Sequence, residues 1–249
     1  MIRFARMAAR LLALLCLCAA ASPAAMGQGF SPPQQDAIRE IVRSYLLANP
    51  DIIVEALNIL EDRQKTEAAA SQAAALTQRI SELRDDPRTP SHGPADADVT
   101  VIEFFDYRCQ YCKQVAAPLA ELARGDARLR IVYKELPILS PDSLVAARAA
   151  LAAHLQGAYR PFHAALMARR GAYDDAAIAA VAGELGLDLA RLKADMNRPE
   201  IAAQIERNRA LARDLGIRGT PAFVIGTELV PGAIDLETMR GLVAKARRR

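Results

Sequence analysis

The sequence predicts an α/β fold in which a block of helices separates two groups of strands. Apolar runs at 99–105 and 129–135 flank a helical segment, which is a β-α-β pattern with a parallel crossover. Residues 141–215 read as a series of helices. Short strands then return between 222 and 230, and a final helix covers 235–246.

The first 27 residues have the features of a secretory signal peptide. Arg3, Arg6 and Arg10 form a basic start. An apolar run from Leu11 to Ala21 follows, and it is too short to span a bilayer as an ordinary helix. We therefore expect the chain to be exported and this segment to be removed; an uncleaved helix at the membrane surface is the alternative.

Removal of this segment changes the charge and cysteine counts. The chain has 32 Lys+Arg and 29 Asp+Glu, and the segment carries three Arg and no acid, which leaves 29 of each. With no excess of positive charge and no Trp, a nucleic-acid partner is not expected. Cys16 and Cys18 leave with the segment, so Cys109 and Cys112 form one isolated pair instead of a disulfide framework.

Residues 28–88 are predicted to be helical, with a first helix over 33–48 and a second over 50–85. The two helices carry apolar stripes, formed by Ile38, Ile41, Val42, Tyr45 and Leu46 and by Ile53, Leu57 and Leu60. Two helices alone cannot hide these stripes from water, so we expect a homo-oligomer, either a dimer or a trimer. A monomer whose helices fold back on the rest of the chain is the alternative. The proline-rich residues 85–94 predict a linker and a domain boundary before a second domain at 89–249.

The pair Cys109-x-x-Cys112 follows the strand at 99–105 directly. Apolar residues at i, i+4 and i+7 predict a helix after it that begins at Cys109. The Cys109 sulfur would then lie among unpaired amides at the positive end of the helix dipole, which stabilises the reactive thiolate. Arg108 and Lys113 add nearby positive charge. Cys112 lies one turn further on, where it can close a disulfide with Cys109.

The order of elements and three motifs resemble the DsbA family of thioredoxin-fold thiol–disulfide oxidoreductases, in which a helical domain interrupts the fold. The motifs are residues 103–112 around the cysteine pair, Pro137-Ile138-Leu139, and Gly219-Thr220-Pro221. The N-terminal helices look like the extension of ScsC-like members, which are linked to copper tolerance. The resemblance implies a thioredoxin-like α/β fold with an inserted helical domain at about 141–215 and an N-terminal helical oligomerisation segment.

The resemblance also implies a role for each site residue. Cys109 resembles the attacking cysteine and Cys112 the resolving one. Pro221 resembles the cis-proline that faces the cysteine pair, and the backbone of Thr220 would pair with a substrate strand. Glu103 resembles the buried acid beneath the site, which would accept or relay the Cys112 proton; an exposed strand residue is the alternative for Glu103.

These features imply a periplasmic enzyme that acts on the thiols or disulfides of exported proteins, with a membrane redox partner and no cofactor. Thr220 before Pro221 resembles isomerase-type members more than the dedicated oxidase. Copper(I) binding by the two thiolates is an alternative function, because soft ligands suit that ion. A zinc site is poorly supported by two cysteines and three scattered histidines. An inert structural disulfide in a binding module is a further alternative.

Overall fold

A computed structural model describes residues 29–248, so the predicted signal peptide lies outside the described residues. These residues fall into two compact units that divide between Arg63 and Gln64. Within the described range, none of the helices combines the length and the apolar character that a membrane crossing requires.

The strands and helices follow the predicted order. The strands are β1 (Ser91–His92), β2 (Val99–Phe105), β3 (Leu129–Glu135), β4 (Ala222–Ile225) and β5 (Glu228–Pro231). The helices are α1 (Pro32–Ala48), α2 (Asp51–Asp85), α3 (Gln110–Gly125), α4 (Pro141–His154), α5 (Tyr159–Ala168), α6 (Asp175–Glu184), α7 (Leu189–Asp195), α8 (Pro199–Asp214) and α9 (Leu236–Arg247). Five helices, α4 to α8, therefore lie between β3 and β4, as the sequence predicts.

The five strands form one sheet in the order β1-β3-β2-β4-β5. The predicted crossover is confirmed, because β2 and β3 are parallel and Phe105 lies opposite Glu135 at their carboxyl ends. All other pairs are antiparallel. Alternate residues of β2 enter two separate apolar cores: Val101 and Phe105 pack with α3 and α9, and Ile102 packs on the opposite face.

The end of α2 covers this opposite face of the sheet. Leu76 and Leu83 are buried there in the same core as Ile102. The compact unit that contains the sheet therefore begins at Gln64, inside α2, and not after the proline-rich segment where the sequence placed the boundary. The physical reason is that Leu76 and Leu83 find their apolar partners on the sheet of their own chain.

The buried Lys134 holds the segment 85–94, which the sequence predicts to be a linker, against the sheet. Lys134 of β3 donates from Nζ to the Glu82 carbonyl oxygen and to Thr89 Oγ1, both at 3.1 Å. Gln204 of α8 donates to the same hydroxyl at 2.9 Å. Burial lowers the pKa of Lys134 to about 8. His92 lies in β1 and pairs with β3, so this segment is part of the sheet domain.

Substitution of Leu83 by alanine should lower the free energy of unfolding by about 2–5 kcal/mol, since it leaves a cavity against the sheet. Leu83 is 0% exposed, whereas Leu155 is 41% exposed and serves as the matched control. Leu155→Ala should cost less than about 0.5 kcal/mol. Urea unfolding of the two variants measures both values, and equal effects would contradict the packing of α2 described above.

The unit before Gln64 has a different character. Its large apolar side chains are mostly exposed, and the predicted stripe residues Ile41 and Tyr45 of α1 are 68% and 58% exposed. The other large apolar side chains with high exposure are Phe30, Ile38, Val42, Leu47, Ile53, Val54, Leu57, Ile59 and Leu60. This unit alone thus leaves much apolar surface in contact with water.

Candidate active site

Cys109 is the N-cap residue of α3, as predicted. The backbone amide of Cys112 donates to Cys109 Sγ at 3.3 Å, which is the hydrogen bond that an N-cap side chain normally accepts. Both cysteines are free thiols, and Cys109 is 5% and Cys112 0% exposed. The sulfur of Cys109 therefore lies at the positive end of the helix dipole, and that of Cys112 lies fully inside the protein.

The two thiols differ sharply in acidity. The hydrogen bond from the Cys112 thiol is the largest cause that lowers the pKa of Cys109 to about 6, and the amides of Cys112 and Tyr111 add to it, whereas burial acts in the opposite direction. Burial raises the pKa of the Cys112 thiol far above its ordinary value, and its hydrogen bond to Cys109 raises it further. Near neutral pH, Cys109 is thus the thiolate and Cys112 the proton donor.

This difference predicts selective alkylation. Iodoacetamide should label Cys109 of the reduced protein with a rate that follows an apparent pKa of about 6, while Cys112 should react only after unfolding. Peptide mapping after short labelling at pH 5, 6, 7 and 8 measures this. Cys112→Ala removes the leading hydrogen bond, so it should move the Cys109 profile to higher pH. Preferential labelling of Cys112 in the folded protein would contradict the assignment.

The loop before β4 faces the cysteine pair. The Thr220–Pro221 peptide bond is cis, which confirms the expectation for Pro221. The Thr220 carbonyl oxygen lies 3.1 Å from Cys109 Sγ and accepts a hydrogen bond from the thiol form of Cys109. The Pro221 carbonyl accepts from the Gly232 amide at 2.9 Å, which ties this loop to the end of β5. The structure thus brings Thr220 and Pro221 to the reactive sulfur.

Glu103 lies on β2 between Val101 and Phe105, the residues that pack with α3, so its side chain is on the same face of the sheet as the cysteine helix. It is 1% exposed, and its Oε1 has no hydrogen-bond partner among residues 29–248. Burial first, and repulsion from Cys109 second, raise the pKa of Glu103 to about 8. The carboxyl group is therefore not an exposed strand residue, and it can hold a proton near neutral pH.

Asp106 holds together the loops at the edge of the site, a role that was not predicted from the sequence. Its carboxylate accepts from the Arg108 amide at 2.7 Å and from the Ile138 and Leu139 amides at 2.9 and 3.0 Å. The Ser143 hydroxyl donates to it at 2.7 Å. Asp106 thereby joins the cysteine loop to the loop after β3. The position of an acid directly after a buried strand was the signal that could have revealed it.

Arg108 and Lys113 do not have the role that their positions in the sequence predict. They are absent from the leading causes of the low Cys109 pKa, which are hydrogen bonds. Lys113 Nζ instead contacts the carbonyl oxygens of Leu166, Met167 and Arg169 at 2.7–3.2 Å. The side chains of Arg108 and Lys113 thus donate hydrogen bonds to backbone carbonyl groups of the inserted helical region.

A second buried polar cluster lies next to the site and was not predicted. Glu135, at the end of β3, accepts from the hydroxyls of Tyr107 and Tyr159 at 3.0 and 2.8 Å. His163 Nδ1 lies 3.0 Å from the Tyr107 hydroxyl, and burial lowers the pKa of His163 to about 3. His163 is thus a neutral packing residue. These residues are far apart in the chain, so only the fold could reveal the cluster.

Two thiols at a helix N-terminus, opposite a cis-proline loop on a mixed sheet, define a redox site of the thioredoxin class. Residues 100–244 match the family described as the DSBA-like thioredoxin domain. The chain belongs to this family, and its thioredoxin-like fold with inserted helices agrees with the prediction. Residues 34–67 match the family described as the copper resistance protein ScsC N-terminal domain, which confirms the resemblance of the N-terminal helices.

Curated relatives with two different names are similar to part of this sequence. A Na(+)/H(+) antiporter NhaA of Herminiimonas arsenicoxydans is 33% identical over 63% of this chain and 25% of its own length. The chain therefore spans about a quarter of the length of the antiporter relatives it matches. The thiol:disulfide interchange protein DsbA of Bordetella parapertussis is 29% identical over 64% of this chain and 76% of its own length.

Two solved structures resemble the chain over different extents. A thioredoxin-like oxidoreductase from Silicibacter pomeroyi is 44% identical and has a TM-score of 0.66, covering 68% of this chain and 98% of its own. Proteus mirabilis ScsC in a transitional conformation is 27% identical and has a TM-score of 0.65, covering 88% of this chain and 99% of its own. The likeness to ScsC therefore extends beyond the sheet domain into the N-terminal helices.

Proposed function

We propose that this chain is a periplasmic thiol–disulfide oxidoreductase that acts on the cysteines of exported proteins. The observation that carries the proposal is the Cys109 sulfur, which caps α3 and lies 3.1 Å from the Thr220 carbonyl of the cis-proline loop. A thiolate with a pKa of about 6 is abundant at neutral pH and attacks disulfides.

The reaction follows from the different acidities of the two thiols. The Cys109 thiolate attacks one sulfur of a substrate disulfide, forms a mixed disulfide with it, and releases the other sulfur as a thiolate. Cys112 then loses its proton and attacks Cys109 Sγ, which releases the substrate as a dithiol. The enzyme is left with a Cys109–Cys112 disulfide, so two electrons have passed to the substrate. The reverse sequence oxidises a substrate dithiol.

Glu103 supports the second step as a proton acceptor. The Cys112 thiol is fully buried, so water has no direct access to its proton. The carboxyl group of Glu103 lies close enough to raise the Cys112 pKa when charged, and its own pKa of about 8 suits proton exchange near neutral pH. Formation of the mixed disulfide removes the Cys109 charge, which is one cause of the raised Glu103 pKa, and the ionised form of Glu103 then takes up the proton as Cys112 attacks.

Insulin reduction tests the proposal directly. The protein should accelerate the precipitation of insulin chains in the presence of dithiothreitol, because each cycle reduces an insulin disulfide. An inert disulfide in a binding module would give the rate of dithiothreitol alone. The control is a sample of this protein whose two thiols have been blocked by alkylation after unfolding and that has then been refolded.

Within this activity we favour an isomerase that works as a homo-oligomer, a dimer or a trimer. The support is the exposed apolar surface of the unit before Gln64, where Ile41 and Tyr45 are more than half exposed. Burial of such side chains contributes about 25 cal/mol per Å², which association costs only partly offset. We assign this surface as the interface with a second copy of the chain. Several sites on one assembly would let one protomer hold a misfolded substrate while another attacks it.

Sedimentation of the full protein beside a double variant, Ile41→Lys with Leu57→Lys, tests this assembly. The wild type should sediment as an oligomer and the variant as a monomer, while both keep insulin reduction. If the assembly serves isomerisation, only the wild type should reactivate scrambled ribonuclease efficiently. A monomeric wild type would contradict the proposal. Isomerisation also needs reduced thiols, so a membrane redox partner would keep Cys109 and Cys112 reduced.

Copper(I) binding remains a second candidate function because residues 34–67 match a family named for copper resistance. The two thiols are soft ligands that this ion prefers. A competition titration of the reduced protein with a coloured copper(I) chelator measures it, and Cys109→Ser with Cys112→Ser is the control. If the wild type removes copper(I) from the chelator but does not catalyse insulin reduction, copper binding is favoured over the exchange activity.

A further inference from the structure

A cavity lies beside the first turn of α3, next to the reactive cysteine. Its volume is about 730 Å³, and it lies between α3 and the segment 167–173 that follows α5. Four of its lining residues are basic: Arg108, Lys113, Arg169 and Arg170. None of its described lining residues is acidic. Arg108 is the immediate neighbour of Cys109, so the cavity adjoins the position where a substrate must be held.

The positive charge of this cavity is not neutralised by ion pairs. Among residues 29–248, none of the four basic side chains forms a salt bridge, although most other arginines that line the sheet domain do. Arg108 donates to the Gly171 carbonyl at 2.7 Å and Arg169 to the Ala172 carbonyl at 3.1 Å. Carbonyl groups satisfy these donors and hold them in place, but they leave the charges uncompensated.

Three acidic residues of the surrounding segments, Asp106, Asp142 and Asp174, are not among the residues that line the cavity. Asp106 is buried and accepts three hydrogen bonds from the two loops of the site and a fourth from Ser143 of α4. Asp174 caps α6 through the Ala177 amide at 2.8 Å. Burial lowers the pKa of Lys113, and repulsion from Arg108 and Arg170 lowers it further, as expected for crowded like charges.

We propose that this basic cavity binds carboxylate side chains that lie beside the reactive cysteine of a substrate protein. The inference rests on the proposed exchange activity and adds a substrate preference to it. An extended chain advances about 3.3 Å per residue, so acidic residues two or three positions from the attacked cysteine reach the cavity while the cysteine is at Cys109. A cleft lined by one sign of charge also raises the rate of encounter with oppositely charged segments.

Paired peptide disulfides test this preference. Each peptide carries one cysteine in a mixed disulfide with a chromophoric thiol, flanked on both sides by Asp and Glu, by Ser and Gln, or by Lys. Attack of the Cys109 thiolate on the peptide sulfur forms the enzyme–peptide disulfide and releases the chromophoric thiolate, which gives the second-order rate constant. At low salt the acidic peptide should react about tenfold faster than the neutral one, and the lysine peptide more slowly than either.

The double variant Arg169→Gln with Arg170→Gln should reduce the ratio of acidic to neutral rates toward one. Arg124→Gln is the matched control, because Arg124 lies on the same helix about 20 Å from its start and outside the cavity. This control should keep the wild-type ratio. Addition of 0.5 M salt should reduce the ratio for the wild type, since exposed charges are screened.

Equal rates for the three peptides in the wild type would overturn the proposal while leaving the exchange activity intact. An unchanged ratio in the double variant would also overturn it, since the preference would then come from another part of the surface. No release of the chromophore from any peptide would instead refute the exchange activity itself. Circular dichroism of each variant shows that a changed ratio comes from a folded protein.

Discussion

Cys109→Ser should lower insulin reduction to the rate of the reaction without enzyme, because the only accessible thiolate of the described residues is lost. Its pKa of about 6 makes Cys109 the nucleophile, whereas the pKa of Cys112 is raised by burial. Cys112→Ala should have a different effect. The first attack still occurs, but no second thiol releases the substrate, so mixed disulfides should accumulate.

Non-reducing gels of the Cys112→Ala variant, incubated with an oxidised substrate protein, measure this accumulation. Dithiothreitol should reduce the trapped mixed disulfides and release the substrate protein. The variant Cys109→Ser with Cys112→Ala is the matched control and should trap nothing. Trapping through Cys112 in the single variant Cys109→Ser would reverse the two roles and contradict the geometry at the start of α3.

Glu103→Gln should stabilise the reduced protein at neutral pH while it slows catalysis. The pKa of Glu103 is raised from 4.5 to about 8 by burial, so the folded state keeps a proton that the unfolded state loses above its own pKa. Stability therefore falls as the pH rises from about 4.5 to about 8. At pH 7 the penalty is roughly 3 kcal/mol, which a glutamine that does not ionise avoids.

Urea unfolding of both reduced proteins at pH 5 and pH 8 measures this difference. Cys109 acts in the opposite direction, because its lowered pKa adds stability as the pH rises above 6, but it does so in both proteins. The advantage of the variant should therefore grow from pH 5 to pH 8. The same substitution at the exposed Glu121 is the control and should show no such growth.

The catalytic effect of Glu103→Gln concerns release of the substrate. Cys112 loses the nearby proton acceptor, so the mixed disulfide should resolve about a hundredfold more slowly, the lower range for general base catalysis. Stopped-flow mixing of a preformed mixed disulfide follows this step. A variant that is more stable at pH 8 but resolves the mixed disulfide at the wild-type rate would show that Glu103 is buried without a catalytic role.

The local features of the site could be predicted because each depends on neighbours in the sequence. The Cys109 N-cap and the strand before it follow from the periodicity of adjacent residues. The cis bond before Pro221 followed from the resemblance, and the structure places Thr220 against the Cys109 sulfur. Such short-range patterns carry enough information to place an element and its ends.

The long-range contacts could not be predicted in the same way. Leu76 and Leu83 form a helical stripe that fits another chain as well as the sheet of its own chain, and periodicity does not distinguish the two. The contacts of Lys113 with the carbonyls after α5 depend on how the inserted helices pack. A basic residue near a cysteine in the sequence is therefore weak evidence that its charge acts on the sulfur.

The packing of α2 on the sheet has a consequence for attempts to transplant the redox domain. A graft that starts at Ala95, after the last proline of the 85–94 segment, would lack β1 and would uncover the face that holds Ile102. Exposed strand residues of this kind promote aggregation. The smallest portable piece of this protein therefore begins near Gln64, in the middle of a helix, where no loop or composition change marks a cutting point.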